Sequence, residues 1–532
     1  MQLALSFTTL LASVLYILSA TSGSVEAAPT KRSRSVTLPL TRIHQTRADV
    51  HPQILLQQHI NRSVKRIARM QGRAPPTKRD MAEKIAKRLF IPAAGRPNFT
   101  ANANEKRYNR QGAKDKAAAA VQAFSDFVDS FTEDDDDTTV TAAVKNQAAT
   151  KGKKKHGKGA QQAAAGNGTA ASASATDSAA DASATASSSL TPADTPTADN
   201  SLGLAIEAKD VGYIATIQMG TPPRDFNILM DSGSADLWVG AEGCQSSAGG
   251  DCGNHQFLGA TTSSTFQDST QQFQVTYGTG AVAGTIVQDD ITVAGLALTG
   301  HTFGVAAEET QDFSDDSVPF DGLMGLAQST LSQQGTLTPV EALAKAGLID
   351  DAITSYKISR LADNKNDGEI TFGALDESKF DASTLVTFDN VSQDGFWEGA
   401  MDSASVDGTD LGLTGRSAIL DTGTTLIVAP DADAAAVHAA IPGAASDGQG
   451  GFTLPCNTTA SVALTFAGQA FAIDTRDLIF AQADDAGETC VSGISSGEID
   501  GATTWLVGDV FLKNAYFSTD VTKNQMSLAK LV

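Results

Sequence analysis

Two stretches of this chain, ILMDSGSADLWVG at Ile228–Gly240 and AILDTGTTLIVA at Ala418–Ala429, repeat one phrase 190 positions apart. Each sets an apolar pair before an aspartate, Asp231 or Asp421, and then a hydroxyl residue, a glycine and a second hydroxyl residue. One such tripeptide alone is ordinary turn chemistry, because Asp and Ser side chains bond their own backbone and Gly supplies positive φ. The repetition goes further. FDGLMGLA reaches Gly325, 94 residues after Asp231, and WLVGDVFL reaches Gly508, 87 residues after Asp421. Self-similarity with a period near 190 residues predicts two similar lobes.

The sequence around these phrases reads as strands. GYIATIQMG (212–220), FQVTYGTG (273–280) and GTIVQDDITVAGLALTGHTFGVA (284–307) cluster or alternate β-formers between glycine turns. VALTFAGQAFAI (462–473) predicts a hairpin turning at Ala467-Gly468. Helical candidates are short: TPVEALAKAG, capped by Thr338, and DADAAAVHAAI. DNKNDGEITFGAL begins like a calcium loop, but Lys365 stands at a ligand place and Ala374 where a bidentate Glu belongs. It reads instead as a turn into a strand at Glu369–Phe372. The class is all-β with a few short helices.

Charge divides the chain. Residues 1–200 hold 27 Lys+Arg against 17 Asp+Glu, whereas residues 201–532 hold 12 against 44. A basic front and an acidic back mark a separable appendage, and the acidic part repels phosphates, which argues against nucleic acid as a partner. Within the front, HPQILLQQHINRSVKRIARM (51–70) is helix-like, with Leu55, Ile60 and Ile67 as a candidate apolar stripe. Residues 163–200 are almost all small and polar, too poor in apolar bulk to offset ordering entropy, and are expected to be disordered. Dibasic pairs at Lys31-Arg32, Lys65-Arg66, Lys78-Arg79, Lys87-Arg88 and Lys106-Arg107 are candidate processing points, although a basic segment contains such pairs anyway.

MQLALSFTTLLASVLYILSA reads as a secretory signal cleaved after Ala20 or Ala27, with an uncleaved membrane anchor as the alternative. No other apolar run is long enough to span a bilayer. Four cysteines, Cys244, Cys252, Cys456 and Cys490, suggest disulfides in an oxidising compartment. Three pairings are open, of which the local one closes short loops. Zinc is disfavoured, because no C-x-x-C or paired His spacing accompanies them. N-x-[ST] triplets stand at Asn61, Asn98, Asn167, Asn390 and Asn457.

Taken together, residues 212–532 resemble the pepsin-type aspartic endopeptidases, of the secreted fungal kind. The resemblance rests on both Asp phrases, YGTG at 277–280, both apolar-apolar-Gly segments, the ITFGALD strand and both cysteine loops. VTLPLTR at Val36 is similar to the start of fungal prosegments. It implies a bilobal fold of two pseudo-twofold-related β-barrel-like lobes with the active site in the cleft between them. The implied organisation is a signal peptide (1–27), a basic prosegment and linker (28–200), an N-terminal lobe (201–385) and a C-terminal lobe (386–532). It also implies pairing of Cys244 with Cys252 and of Cys456 with Cys490.

For the site, the resemblance implies Asp231 and Asp421 as a catalytic pair that shares one proton, because two adjacent carboxyls cannot both ionise easily. Ser232 and Thr422 are expected to tie the lobes together, Ser234 and Thr424 to bond the outer carboxylate oxygens, and Gly233 and Gly423 to let the backbone approach. Tyr277, Gly278, Thr279 and Gly280 form the expected flap, with the Trp238 indole as partner of the Tyr277 phenol. Leu229, Phe320 and Leu323 are the expected pocket, suited to large apolar side chains, and Thr279 brings no carboxylate that would welcome Lys. They read equally as plain core.

The function expected is hydrolysis of peptide bonds in proteins at acid pH, without metal or cofactor. The protein is expected to be a monomer, secreted or else vacuolar, off the membrane after signal removal, and held inactive by its own prosegment. On this reading the basic front docks on the acidic back at neutral pH and is released as carboxylates protonate. The rival from another class is a non-catalytic binding protein on the same fold. Such proteins usually lose an active-site Asp or its hydroxyl neighbours, and here both sets are intact.

Overall fold

The computed structural model describes residues 36–39, 41–42, 52–77, 80–81, 84, 190–191, 206–207 and 212–532, apart from 278–279, 364 and 485. The expected signal peptide, most of the low-complexity linker, and Gly278, Thr279, Asn98 and Asn167 lie outside the described residues.

The repeated phrase has a repeated architecture. Strand Arg224–Asp231 runs parallel to Gly322–Gly325, with Asp231 beside Gly325, and Gly322–Gly325 runs antiparallel to Leu237–Ser246. In the second half, Arg416–Leu420 runs parallel to Thr504–Val507, and Thr504–Val507 runs antiparallel to Ile427–Ala429. Each aspartate therefore sits on a loop whose two arms are held apart by the apolar-apolar-Gly segment. The glycines of those segments are needed for space. A Cβ on Gly325 would overlap the Asp236 amide, and one on Gly508 the Thr424 carbonyl. Around these centres lie a nine-stranded sheet in the first half and sheets of five, four and four strands in the second. Helices are few and short, as in Pro339–Lys345, whose Thr338–Glu341 capping box satisfies two helix-end amides.

A six-stranded sheet takes strands from both sides of position 385: Ile353–Lys357, Glu369–Phe372, Val386–Asp389, Tyr516–Asp520 and Gln525–Ala529. Its sixth, edge strand is Val36–Pro39 from the front segment, paired antiparallel with Glu369–Phe372. The core is apolar and closed, with Trp238, Trp397 and Trp505 all fully buried.

The front helix spans Pro52–Met70. Its buried stripe differs by one residue from the sequence expectation. Leu56 (0 % exposed), Ile60 and Ile67 are buried and Val64 packs beside them, whereas Leu55 is half-buried. Positions 56, 60, 64 and 67 follow the helical repeat of 3.6, and 55 falls off that line. Among the described residues, no helix is long and apolar enough to cross a membrane.

Candidate active site

Asp231 ends one strand and Asp421 follows another, so both carboxyls emerge on tight loops at the same junction, where each is almost wholly buried. Their surroundings repeat atom for atom. The Gly233 amide donates to Asp231 Oδ1 at 3.0 Å, and the Gly423 amide to Asp421 Oδ1 at 2.9 Å. Ser234 Oγ donates to Asp231 Oδ2 at 2.5 Å, and Thr424 Oγ1 to Asp421 Oδ2 at 2.6 Å. Two donors to each carboxylate favour its charged form and fix its plane.

Beneath the carboxyls the loops interlock. The Ser232 amide donates to Thr422 Oγ1 and the Thr422 amide to Ser232 Oγ, both at 2.9 Å. Each hydroxyl then donates onward to a strand carbonyl of the other half, Ser232 Oγ to Leu420 at 3.1 Å and Thr422 Oγ1 to Met230 at 3.0 Å. The loops approach so closely that a Cβ on Gly233 would collide with Asp421, and one on Gly423 with Asp231.

A residue from the front segment completes the cluster. Arg66 of helix Pro52–Met70 reaches both acids, Nη2 to Asp231 Oδ1 at 2.5 Å and Nη1 to Asp421 Oδ2 at 3.1 Å. A planar guanidinium with its forked donors suits this bridge better than a single ammonium would. Burial alone would lower the Arg66 pKa, but the charges of Asp231 and Asp421 raise it above its already high ordinary value. Asp421 is pushed up to about 6, chiefly by burial; Arg66 opposes the shift and the neighbouring Asp231 adds to it.

On either side of Arg66 the helix fills apolar ground. Ile67 is wholly buried in a cluster with Ala235, Leu331, Phe396, Ile419 and Ile499. Met70 packs against the cluster that gathers Leu229, Phe320, Leu323, Trp238, Tyr277 and Phe313. The Trp238 indole N–H donates to the Tyr277 phenol oxygen at 2.8 Å, and burial raises the Tyr277 pKa well above its usual range, so the phenol stays neutral. Tyr277 ends strand Gln267–Tyr277, and Gly280 opens the antiparallel return strand directly opposite it. The phenol ring also meets Phe313 edge-on.

Cys244 is bonded to Cys252 and Cys456 to Cys490, so among the described residues no thiolate is available to a metal. The buried Glu309 carboxylate stands beside the first disulfide.

The sequence reading did not place Arg66, Ile67 or Met70 in the cleft. Arg66 was visible only as half of a dibasic pair. In this arrangement its side chain is buried and engaged, hence out of reach of a processing protease. A cation beside the apolar face of an amphipathic helix was the available signal.

A model of the eukaryotic aspartyl protease family matches residues 212–531. This chain belongs to that family. It is 37% identical to a probable aspartic-type endopeptidase CTSD of Trichophyton verrucosum, over 63% of this chain and 64% of that protein. The aspartic-type endopeptidase ctsD of Aspergillus fumigatus is 34% identical over 63% of this chain and 69% of its own length. The embryonic pepsinogen of Gallus gallus is 32% identical over 61% of this chain and 81% of its own length. The chain thus spans just under two thirds of the first fungal relatives it matches, and the stretches compared leave more than a third of this chain uncovered. The all-β class and the bilobal arrangement expected from the sequence agree with this membership.

Proposed function

We propose that this protein is an aspartic endopeptidase, made as a self-inhibited precursor, that hydrolyses peptide bonds in proteins at acid pH. The observation that carries the reading is the mirrored environment of Asp231 and Asp421, two buried carboxyls close enough for one guanidinium to bridge them.

Two carboxyls this close share one proton. The ionised member takes a proton from a water held between them, and the protonated member donates to the substrate carbonyl oxygen. The water oxygen bonds to the carbonyl carbon to give a tetrahedral diol. Proton transfer to the amide nitrogen then breaks the C–N bond and releases amine and acid. The proton belongs to the pair, and the rise at Asp421 keeps one proton in place under acid conditions. Ser232 and Thr422 fix the spacing, Ser234 and Thr424 orient the carboxylates, and Tyr277 with Trp238 closes the cleft against water. An apolar substrate side chain takes the place of Met70 among Leu229, Phe320 and Leu323.

Arg66 occupies the place of the nucleophilic water, and this occupancy is the inhibition. Release and removal of the front segment, within residues 28–200, expose the pair and leave lobes at 201–385 and 386–532. Basic segment and acidic lobes attract, yet one buried cation with an apolar stripe does the blocking. The disulfides suit an oxidising route, with secretion as the primary destination and the vacuole as the alternative.

The test is digestion of a denatured protein at acid pH by the processed chain, with and without a statine-type inhibitor. Asp231→Asn and Asp421→Asn should each abolish turnover while circular dichroism stays unchanged. Turnover retained in either folded variant refutes the reading.

A further inference from the structure

We propose that Asn457 is the N-glycosylation acceptor of the C-terminal half, and that Asn390 and Asn61 stay bare although they carry the same triplet. The proposal rests on the secretory route inferred above. The described residues include three triplets: Asn61-Arg62-Ser63, Asn390-Val391-Ser392 and Asn457-Thr458-Thr459. Their environments separate them sharply.

Asn390 is 7 % exposed, and its amide is fully used. Nδ2 donates to the Phe396 carbonyl at 2.9 Å and to Asn524 Oδ1 at 3.0 Å, while Oδ1 accepts from the Ser392 and Glu398 amides. A sugar on Nδ2 removes one of its two N–H groups, so either the Phe396 carbonyl or Asn524 Oδ1 loses its donor in a buried place. Asn61, on helix Pro52–Met70, is 8 % exposed, accepts from Gln57 on the same helix and donates to the carbonyl of Met81 beyond its end. A sugar there would replace the N–H that holds the Met81 carbonyl and would have to fit where the side chain is buried.

Asn457 is the opposite case. It and Thr459 are exposed, and neither side chain has a hydrogen-bond partner among the described residues. The triplet lies on a turn closed by the Thr458 amide to the Pro455 carbonyl at 2.9 Å. The turn is anchored by the Cys456–Cys490 disulfide. Acceptor amide and the hydroxyl two residues on are thus offered together to solvent, on a rigid base. In the transfer, Asn457 Nδ2 bonds to the anomeric carbon of a lipid-diphosphate-linked oligosaccharide. The carbon–oxygen bond to the diphosphate breaks with its electron pair, and the amide proton is lost to a base.

The test is the full chain secreted from a eukaryotic host, with site-by-site glycopeptide mass spectrometry. Asn457 should be occupied and Asn390 bare. Asn457→Gln and Thr459→Val should each remove one glycan per chain, whereas Asn390→Gln should remove none. A secreted chain bare at Asn457, or sugared at Asn390, overturns the assignment. Acid proteolysis measured on the same material is a separate readout, so a glycosylated but inactive chain sinks only the protease reading.

Discussion

Ser232 and Thr422, 190 residues apart, each take the other's backbone amide onto their own hydroxyl. The exchange is buried and symmetric, so it clamps the two carboxyl loops at a fixed separation. Ser232→Ala strands the Thr422 amide and the Leu420 carbonyl without partners. It is expected to cost about 2 to 4 kcal/mol of stability. Urea unfolding of the variant measures this, and a loss below about 0.5 kcal/mol would show the clamp to be ornamental.

Arg66→Ala removes the cation that bridges Asp231 and Asp421. Breaking one partner out of a buried ion pair costs about 3 to 5 kcal/mol, which loosens the helix by roughly a hundredfold or more. The uncleaved variant should therefore bind a statine-type inhibitor at neutral pH far more tightly than the uncleaved native chain. Equal affinities would remove Arg66 from the account of inhibition.

His59 gives the docked helix a second dependence on acid. It is half-buried with its ring edge-on to Phe480; burial, then the positive charge of Arg62 on the same helix, lowers its pKa to about 3. The released helix binds a proton below the ordinary value of 6.5, whereas the docked one does not until about 3. The His59 contribution to docking is therefore fully present above pH 6.5 and is lost as pH falls through that window, by up to about tenfold per unit. The Arg66 contribution acts in the same sense, since it fades as Asp421 takes up its proton near pH 6. His59→Leu should slow activation at pH 5, between the free value of 6.5 and the docked value of about 3, and leave it unchanged at pH 7. An identical pH profile would exclude His59.

Glu309 sets the opposite limit. Burial, with Asp321 nearby, raises its pKa from 4.5 to about 7, so the folded chain holds a proton that the unfolded chain releases. Stability falls as pH rises from 4.5 towards 7 and the full penalty applies above that. Glu309→Gln should raise the melting temperature at pH 8 and leave it almost unchanged at pH 4, on either side of the window between those two values. A uniform shift at both would mean that packing, not charge, is responsible.

The sequence revealed what is built locally. Each carboxylate takes its intraloop bonds from residues two and three positions on, so the Asp phrases carried that geometry in a few letters. Alternating β-formers and glycine turns likewise gave the all-β class, and the long repeat gave the two lobes. Long-range partners were not legible. Arg66 meets its acids across 165 and 355 residues, and its place beside the apolar face of a helix does not say which residues it meets. The stripe on its helix was read through Leu55 because Leu55 and Leu56 are adjacent and equally apolar; only packing against the lobes distinguishes them. The edge strand Val36–Pro39 was recognisable as a motif but not as part of a sheet whose other strands begin more than 300 residues later.

The Arg66 guanidinium is tethered to the acids it bridges by one continuous polypeptide. Its local concentration at the acids is therefore set by chain length alone, and diluting the protein leaves it unchanged. A separate inhibitor molecule would be lost on dilution. On the proposed reading, the tethered cation leaves once its charge partners are neutralised, and dilution can carry it off only after its chain is cut.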